Sequence, residues 1–138
     1  MRKKMVAMAL AGGALVALAG NAQGASAASQ APQTRYTQIW HGTHSAAGYW
    51  STGDFVPHRS RWLATNFGCY GHDGAKIKAE IVRTRDRHVM NHSGYMYCNN
   101  GEQHRLDATV STGTSYYMRL YVNGKKHSMY AKTYEVFR

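Results

Sequence analysis

Acidic residues are scarce in this 138-residue chain, with 7 Asp+Glu against 17 Lys+Arg and a formal charge of +10. No two of the carboxylates stand at a recognisable catalytic spacing. A G-x-S-x-G elbow and a Gly-rich phosphate loop are also missing, so no hydrolase motif is present. Cysteine occurs only as Cys69 and Cys98, without the short spacing of a zinc site. Long apolar runs are lacking too. The one run, Met5 to Ala19, falls short of the roughly 20 residues a bilayer span needs. No segment keeps a helical apolar rhythm, and there is no internal repeat or low-complexity tract.

The start of the chain reads as an export signal. Arg2, Lys3 and Lys4 precede the apolar run, and "GASA" places Ala25 and Ala27 where a signal peptidase reads small residues. The expected organisation is a signal peptide over 1–27, a loose arm over 28–34 and a single domain over 35–138. The exported protein is expected to be secreted and extracellular. Taking Arg2, Lys3 and Lys4 from the 17 Lys+Arg leaves 14 against 7 Asp+Glu, a net +7. Such an excess suits anionic partners, whether polymers, surfaces or a small acidic ligand, and it also serves solubility. In an oxidising compartment an even cysteine pair reads as one disulfide, Cys69–Cys98. Closing a loop of about 30 residues, it would contribute on the order of 3 kcal/mol.

Period-two alternation recurs along the chain. In "AKIKAEI" Ala75, Ile77, Ala79 and Ile81 face one way, and Lys76, Lys78 and Glu80 the other. "RLDATV" sets Leu106, Ala108 and Val110 inward. Further on, Tyr116, Met118, Leu120 and Val122 share a face opposite Tyr117, Arg119 and Tyr121. "RWLATNFGCY", "RHVMNHSGYMYC" and "RYTQIW" read as further strands. Asn123-Gly124 predicts a hairpin turn that folds Thr114 to Phe137 into two paired strands. "DATVSTGTSYYMRL" has the order of a tyrosine corner, with Tyr116 as its tyrosine. About seven short strands imply an all-β fold, a small antiparallel, Ig-like β-sandwich. A small closed barrel would read nearly the same way. "WHGTHSAAGYWSTGDFVPHRSRW" lacks strict alternation and is expected to be a long loop with a short strand in it, and the first place to look for a site.

Among chemistry-bearing residues, His41 with His44 and His88 with His92 invite a metal, but neither spacing chelates on a strand, so none is assigned. Arg59 and Arg61, and Arg83, Arg85 and Arg87, alternate as they would on one strand face. They are candidate ligand-binding stripes for a small anionic or planar cofactor, the plain alternative being a solvated outer face. The closing segment is rich in oxidisable side chains. Tyr117, Tyr121, Tyr130 and Tyr134 are candidate redox tyrosines, and Met118 and Met129 candidate sacrificial sulfurs, against the alternative that they simply pack.

The compact strand-rich domain behind a signal, the basic balance, "WHGTHSAAGYWSTGDFVPHRSRW" and the closing "YAKTYEVF" together resemble the RoxP family. These are secreted radical oxygenase or antioxidant proteins of skin propionibacteria. The resemblance covers the mature chain and implies an Ig-like fold, a positively charged groove and quenching of radicals outside the cell. It transfers no catalytic residue. The expected function is therefore a secreted, monomeric antioxidant acting on reactive oxygen species, with radical-scavenging, oxidoreductase-like activity. The alternatives are a non-enzymatic binding module for anionic polymers or surfaces, or a small antimicrobial or inhibitor protein.

Overall fold

A strand with one apolar face is stable only where that face meets another, and the alternating segments of this chain meet across one core. A computed structural model describes residues 33–138. The expected signal peptide, and the arm up to residue 32, lie outside the described residues. Seven strands and no helix occur among the described residues: β1 (Arg35–Ser51), β2 (Trp62–Cys69), β3 (Lys76–Arg83), β4 (His88–His92), β5 (Met96–Tyr97), β6 (His104–Thr109) and β7 (Tyr116–Phe137). All pairings are antiparallel. Among the described residues no helix is long and apolar enough to cross a membrane.

β7 organises the rest. Along one edge it pairs with β1, from Arg35↔Phe137 to Ser51↔Arg119. Along the other edge its first half pairs with β3, Ile77↔Val122 to Arg83↔Tyr116. Its second half pairs with β2, Leu63↔Glu135 to Cys69↔Met129. β4 and β5 extend the β3 side, and β6 extends the β2 side. Both arms contribute to one apolar core, with Ile77, Ile81, Met118 and Leu120 from one and Leu63, Phe67, Leu106 and Met129 from the other. The outer strands approach each other, and the Asn91 amide donates to the Asp107 carbonyl of β6 at 2.6 Å. The result is the small antiparallel β-sandwich expected from the sequence, its sheet curling toward a barrel.

The inward residues of "AKIKAEI", "RLDATV" and Tyr116–Val122 are all buried, as the alternation required. Cys69 and Cys98 are bonded within this core. The Tyr116 hydroxyl accepts the Ser111 N–H at 2.9 Å, the back-bond of a tyrosine corner.

Three expectations are corrected. Asn123-Gly124 does turn, with Gly124 at φ 83, but β7 does not reverse. Between Ala46 and Gly48 β1 advances two residues while β7 advances five, from His127 to Val122. The extra residues bulge outward, and the flanking halves pair with β1 rather than with each other. The odd step also shifts the parity of burial, from Met118, Leu120 and Val122 to His127, Met129 and Ala131. Trp40 to Ser51 is strand throughout, not a long loop with one short strand in it. Its alternation is hidden because register shifts at Gln38/Trp40 and Ala46/Gly48 interrupt it. Met118 and Met129 have no exposed surface, so they are core packing residues rather than sulfur offered to oxidants.

The connection from β1 to β2 is fastened by one carboxylate. Glu135, 3% exposed, accepts the backbone N–H groups of His58, Arg59 and Ser60 at 2.9, 2.7 and 2.9 Å on a single oxygen. Burial pushes its pKa up, but those N–H groups outweigh burial and hold it below the usual carboxylate range. Asp73 is held low mainly by its bond to the buried His127, whose Nε2 lies 2.9 Å away. A carboxylate with a lowered folded pKa binds protons more readily when unfolded, so its stabilisation is present above the unfolded value and is lost as the pH falls. Glu135→Ala strands three N–H donors and is expected to cost about 3 kcal/mol in urea denaturation. Glu135→Gln should cost less, and should flatten the fall in stability of the parent protein between neutral and acid pH.

Candidate functional site

Outward residues of three adjacent strands meet in rows on the first half of β7. Tyr121 stands opposite Tyr49 of β1 and Lys78 of β3, and Arg119 stands opposite Ser51 and Glu80. Strand neighbours in such rows touch on the outer face, so register alone gathers two phenols, two cations and a carboxylate. The Arg119 Nε donates to Glu80 Oε1 at 2.9 Å, and the Tyr121 hydroxyl donates to the same oxygen at 3.2 Å. The Lys78 ammonium sits 4.9 Å above the Tyr121 ring and 5.2 Å from that of Tyr95. Lys76 lies 4.8 Å over Tyr97 in the same way.

An open cleft of about 520 Å³ adjoins these rows, lined by Tyr49, Asp54, Arg87, Tyr117, Arg119 and Tyr121 among others. Its walls carry phenols and guanidinium groups together, which suits small anionic or planar molecules. Burial, and then the charge of Glu80, raise the Tyr121 pKa above that of an ordinary phenol. The group therefore stays protonated at neutral pH, and its proton points at a carboxylate. Loss of an electron from such a phenol can be accompanied by proton transfer to Glu80, which avoids a high-energy radical cation.

Of the expected site residues, Tyr117, Tyr121 and Arg87 come together here. Tyr130 and Tyr134 face outward on the other half of β7. The Tyr130 hydroxyl donates to the Gly101 carbonyl at 3.0 Å, and Tyr134 meets Tyr36 edge-on. The arginine stripes do not form. β3 ends at Arg83, and residues 84–87 turn toward β4 with Arg87 at φ 61, so alternate positions no longer share a face. Arg83 is held by Asp86 through two bonds, at 2.9 and 2.7 Å. Arg85 is exposed in the turn. Arg59 and Arg61 belong to the connection before β2, where the Arg59 guanidinium lies 5.0 Å from the Phe137 ring. Among the described residues no three His, Cys, Asp or Glu side chains cluster as a metal site would need. Tyr49, Lys78, Glu80 and Arg119 were not among the site residues expected from the sequence. Lys78, Glu80 and Arg119 were legible as outward-facing, but which of them stand side by side depends on strand register.

No family model matches the sequence, and no curated protein matches it as a relative. A solved structure of the infectious bursal disease virus Gt strain has a TM-score of 0.45 and 13% identity over 75% of this chain. The chain spans 33% of that structure's chain, and a likeness at this level identifies neither family nor function.

Replacing Glu80 with Gln removes the charge that helps keep the Tyr121 proton in place. Glu80→Gln is expected to move one tyrosine titration down toward the ordinary phenol value. Phenolate absorbance followed against pH, with Tyr121→Phe to assign the group, would show the shift.

Proposed function

We propose that this is an exported antioxidant protein that quenches radicals at the outer face of β1, β7 and β3. The observation that carries this reading is the Tyr121 phenol bonded at 3.2 Å to a carboxylate, beside an open, cation-lined cleft. The phenol supplies the electron and Glu80 receives the proton. Lys78, Arg87 and Arg119 draw anionic oxidants such as superoxide toward it. Tyr117 and Tyr49 extend the oxidisable wall of the cleft. Export rests on the sequence of residues 1–27 and accords with the disulfide. The resemblance to the RoxP family points the same way.

Changing Tyr49, Tyr117 and Tyr121 to Phe keeps the rings and removes the phenolic hydrogens. Quenching of a stable radical dye should fall to less than about half that of the parent protein, with circular dichroism unchanged. Glu80→Gln alone should slow quenching by about tenfold or more, the scale on which a positioned proton acceptor acts. Undiminished quenching in the triple variant would overturn the reading.

The same cleft also supports a second reading, a module that binds anionic polymers without redox chemistry, because Arg87 is exposed there and Lys78 rests on an aromatic ring rather than on an acid. In that case binding to a sulfated polysaccharide should weaken steeply with salt. Lys78→Gln with Arg87→Gln should weaken it further, while shifting stability by no more than about 0.5 kcal/mol.

A further inference from the structure

On the outer face of β7, Tyr121, Tyr130 and Tyr134 each have another tyrosine ring beside them. Tyr121 lies 6.2 Å from Tyr49 with the rings inclined at 39°, and Tyr130 lies 5.8 Å from Tyr70 at 46°. In each pair one ring is half-buried and anchored through its hydroxyl, Tyr121 to Glu80 and Tyr130 to the Gly101 carbonyl. Its partner is broadly exposed, Tyr49 at 60% and Tyr70 at 48%. The second pair is seated on bare backbone. A Cβ at Gly68 would come within 2.7 Å of the Tyr130 ring, and one at Gly101 within 2.6 Å of the Tyr70 ring. Gly101 also holds φ +97, which only glycine adopts easily. Tyr134 and Tyr36 differ. Their rings stand at 86°, and Arg105 holds Tyr36 from its hydroxyl at 3.3 Å and over its ring at 5.3 Å.

The geometry points to Tyr49–Tyr121 and Tyr70–Tyr130 as sites of oxidative self-modification, where two radical encounters at one pair end in an intramolecular dityrosine bond. The oxidant is a one-electron species of the peroxyl class. Each phenol gives one hydrogen atom, an electron with a proton, to one peroxyl radical, which becomes a hydroperoxide. The two phenoxyl radicals then join through ring carbons ortho to oxygen. The hydrogen on each joined carbon moves to its oxygen, restoring both phenols, so the protein loses two hydrogens in all. Holding the two rings together makes the coupling intramolecular, so it outruns reactions that need a second molecule. Spent radicals are thereby closed within the chain instead of being passed on. The inference rests on the tyrosines acting as hydrogen-atom donors, as the proposed function requires.

The test exposes dilute wild-type protein to peroxyl radicals from a water-soluble azo initiator. Radical consumption, dityrosine fluorescence, intact mass and tryptic peptides are followed together. The expected result is a monomer lighter by two hydrogens per cross-link. The fragment holding Tyr49 should be joined to that holding Tyr121, and the fragment holding Tyr70 to that holding Tyr130. Tyr121→Phe should remove the first joined product and leave the second, and Tyr130→Phe the reverse. Radical consumption with only singly oxidised tyrosines, with cross-links only between chains, or with joins between other tyrosines would overturn the pairing while leaving the antioxidant reading intact. No radical consumption above that of an unrelated basic protein would overturn both.

Discussion

The ribbon formed by β1 and β7 is the constraint on which the molecule depends. β7 is long enough to enter both arms of the sandwich, and β1 accompanies it from end to end. The remaining strands hang from its other edge, β3 with β4 and β5 on one half and β2 with β6 on the other. The outward bulge at Asn123 to Lys126 makes this possible. It lets one strand serve two arms while keeping an apolar face toward a common core, because the step of five residues from Val122 to His127 is odd and resets the parity of the side chains.

The same ribbon explains where the tyrosines go. Inward positions of β7 are filled by Met118, Leu120, Met129 and Ala131, so Tyr117, Tyr121, Tyr130 and Tyr134 take the outer face and are only half covered. Neighbouring elements then bring cations and further tyrosines beside them. Acids are few and five of the seven are engaged in this way: Glu80 with Arg119, Asp86 with Arg83, Asp107 with Arg105, Asp73 with His127 and Glu135 with three backbone N–H groups. Lys76 and Lys78 rest on tyrosine rings instead. The exposed ion pairs add little stability, and Glu135 is different because it is buried and fixes a connection.

Much of this was legible in the chain. Alternation identified the inward residues of β3, β6 and the first half of β7, because a strand that buries one face must write its sequence with period two. Compartment and parity of cysteine pointed to the disulfide, and the order of a turn followed by Tyr116 pointed to the tyrosine corner. β1 was missed over Trp40 to Ser51 because its bulges break the period and most of its side chains are exposed. The arginine stripes failed because alternation was extended past Arg83 into a turn, where it has no geometric meaning.

Sequence by itself determined that the chain would be all-β, which residues of β3, β6 and the first half of β7 would face its core, and that Tyr117 and Tyr121 would face away from it. Those properties depend on local periodicity and on the chemistry of single side chains. Only the tertiary structure decided that Asn123-Gly124 would bulge rather than reverse the chain, since pairing with β1 satisfies the backbone of both halves. It alone set Glu80 against Tyr121, Tyr49 across from it, and Tyr70 over Gly101 beside Tyr130. These neighbours lie far apart along the chain, and register between strands is a property of the whole sheet.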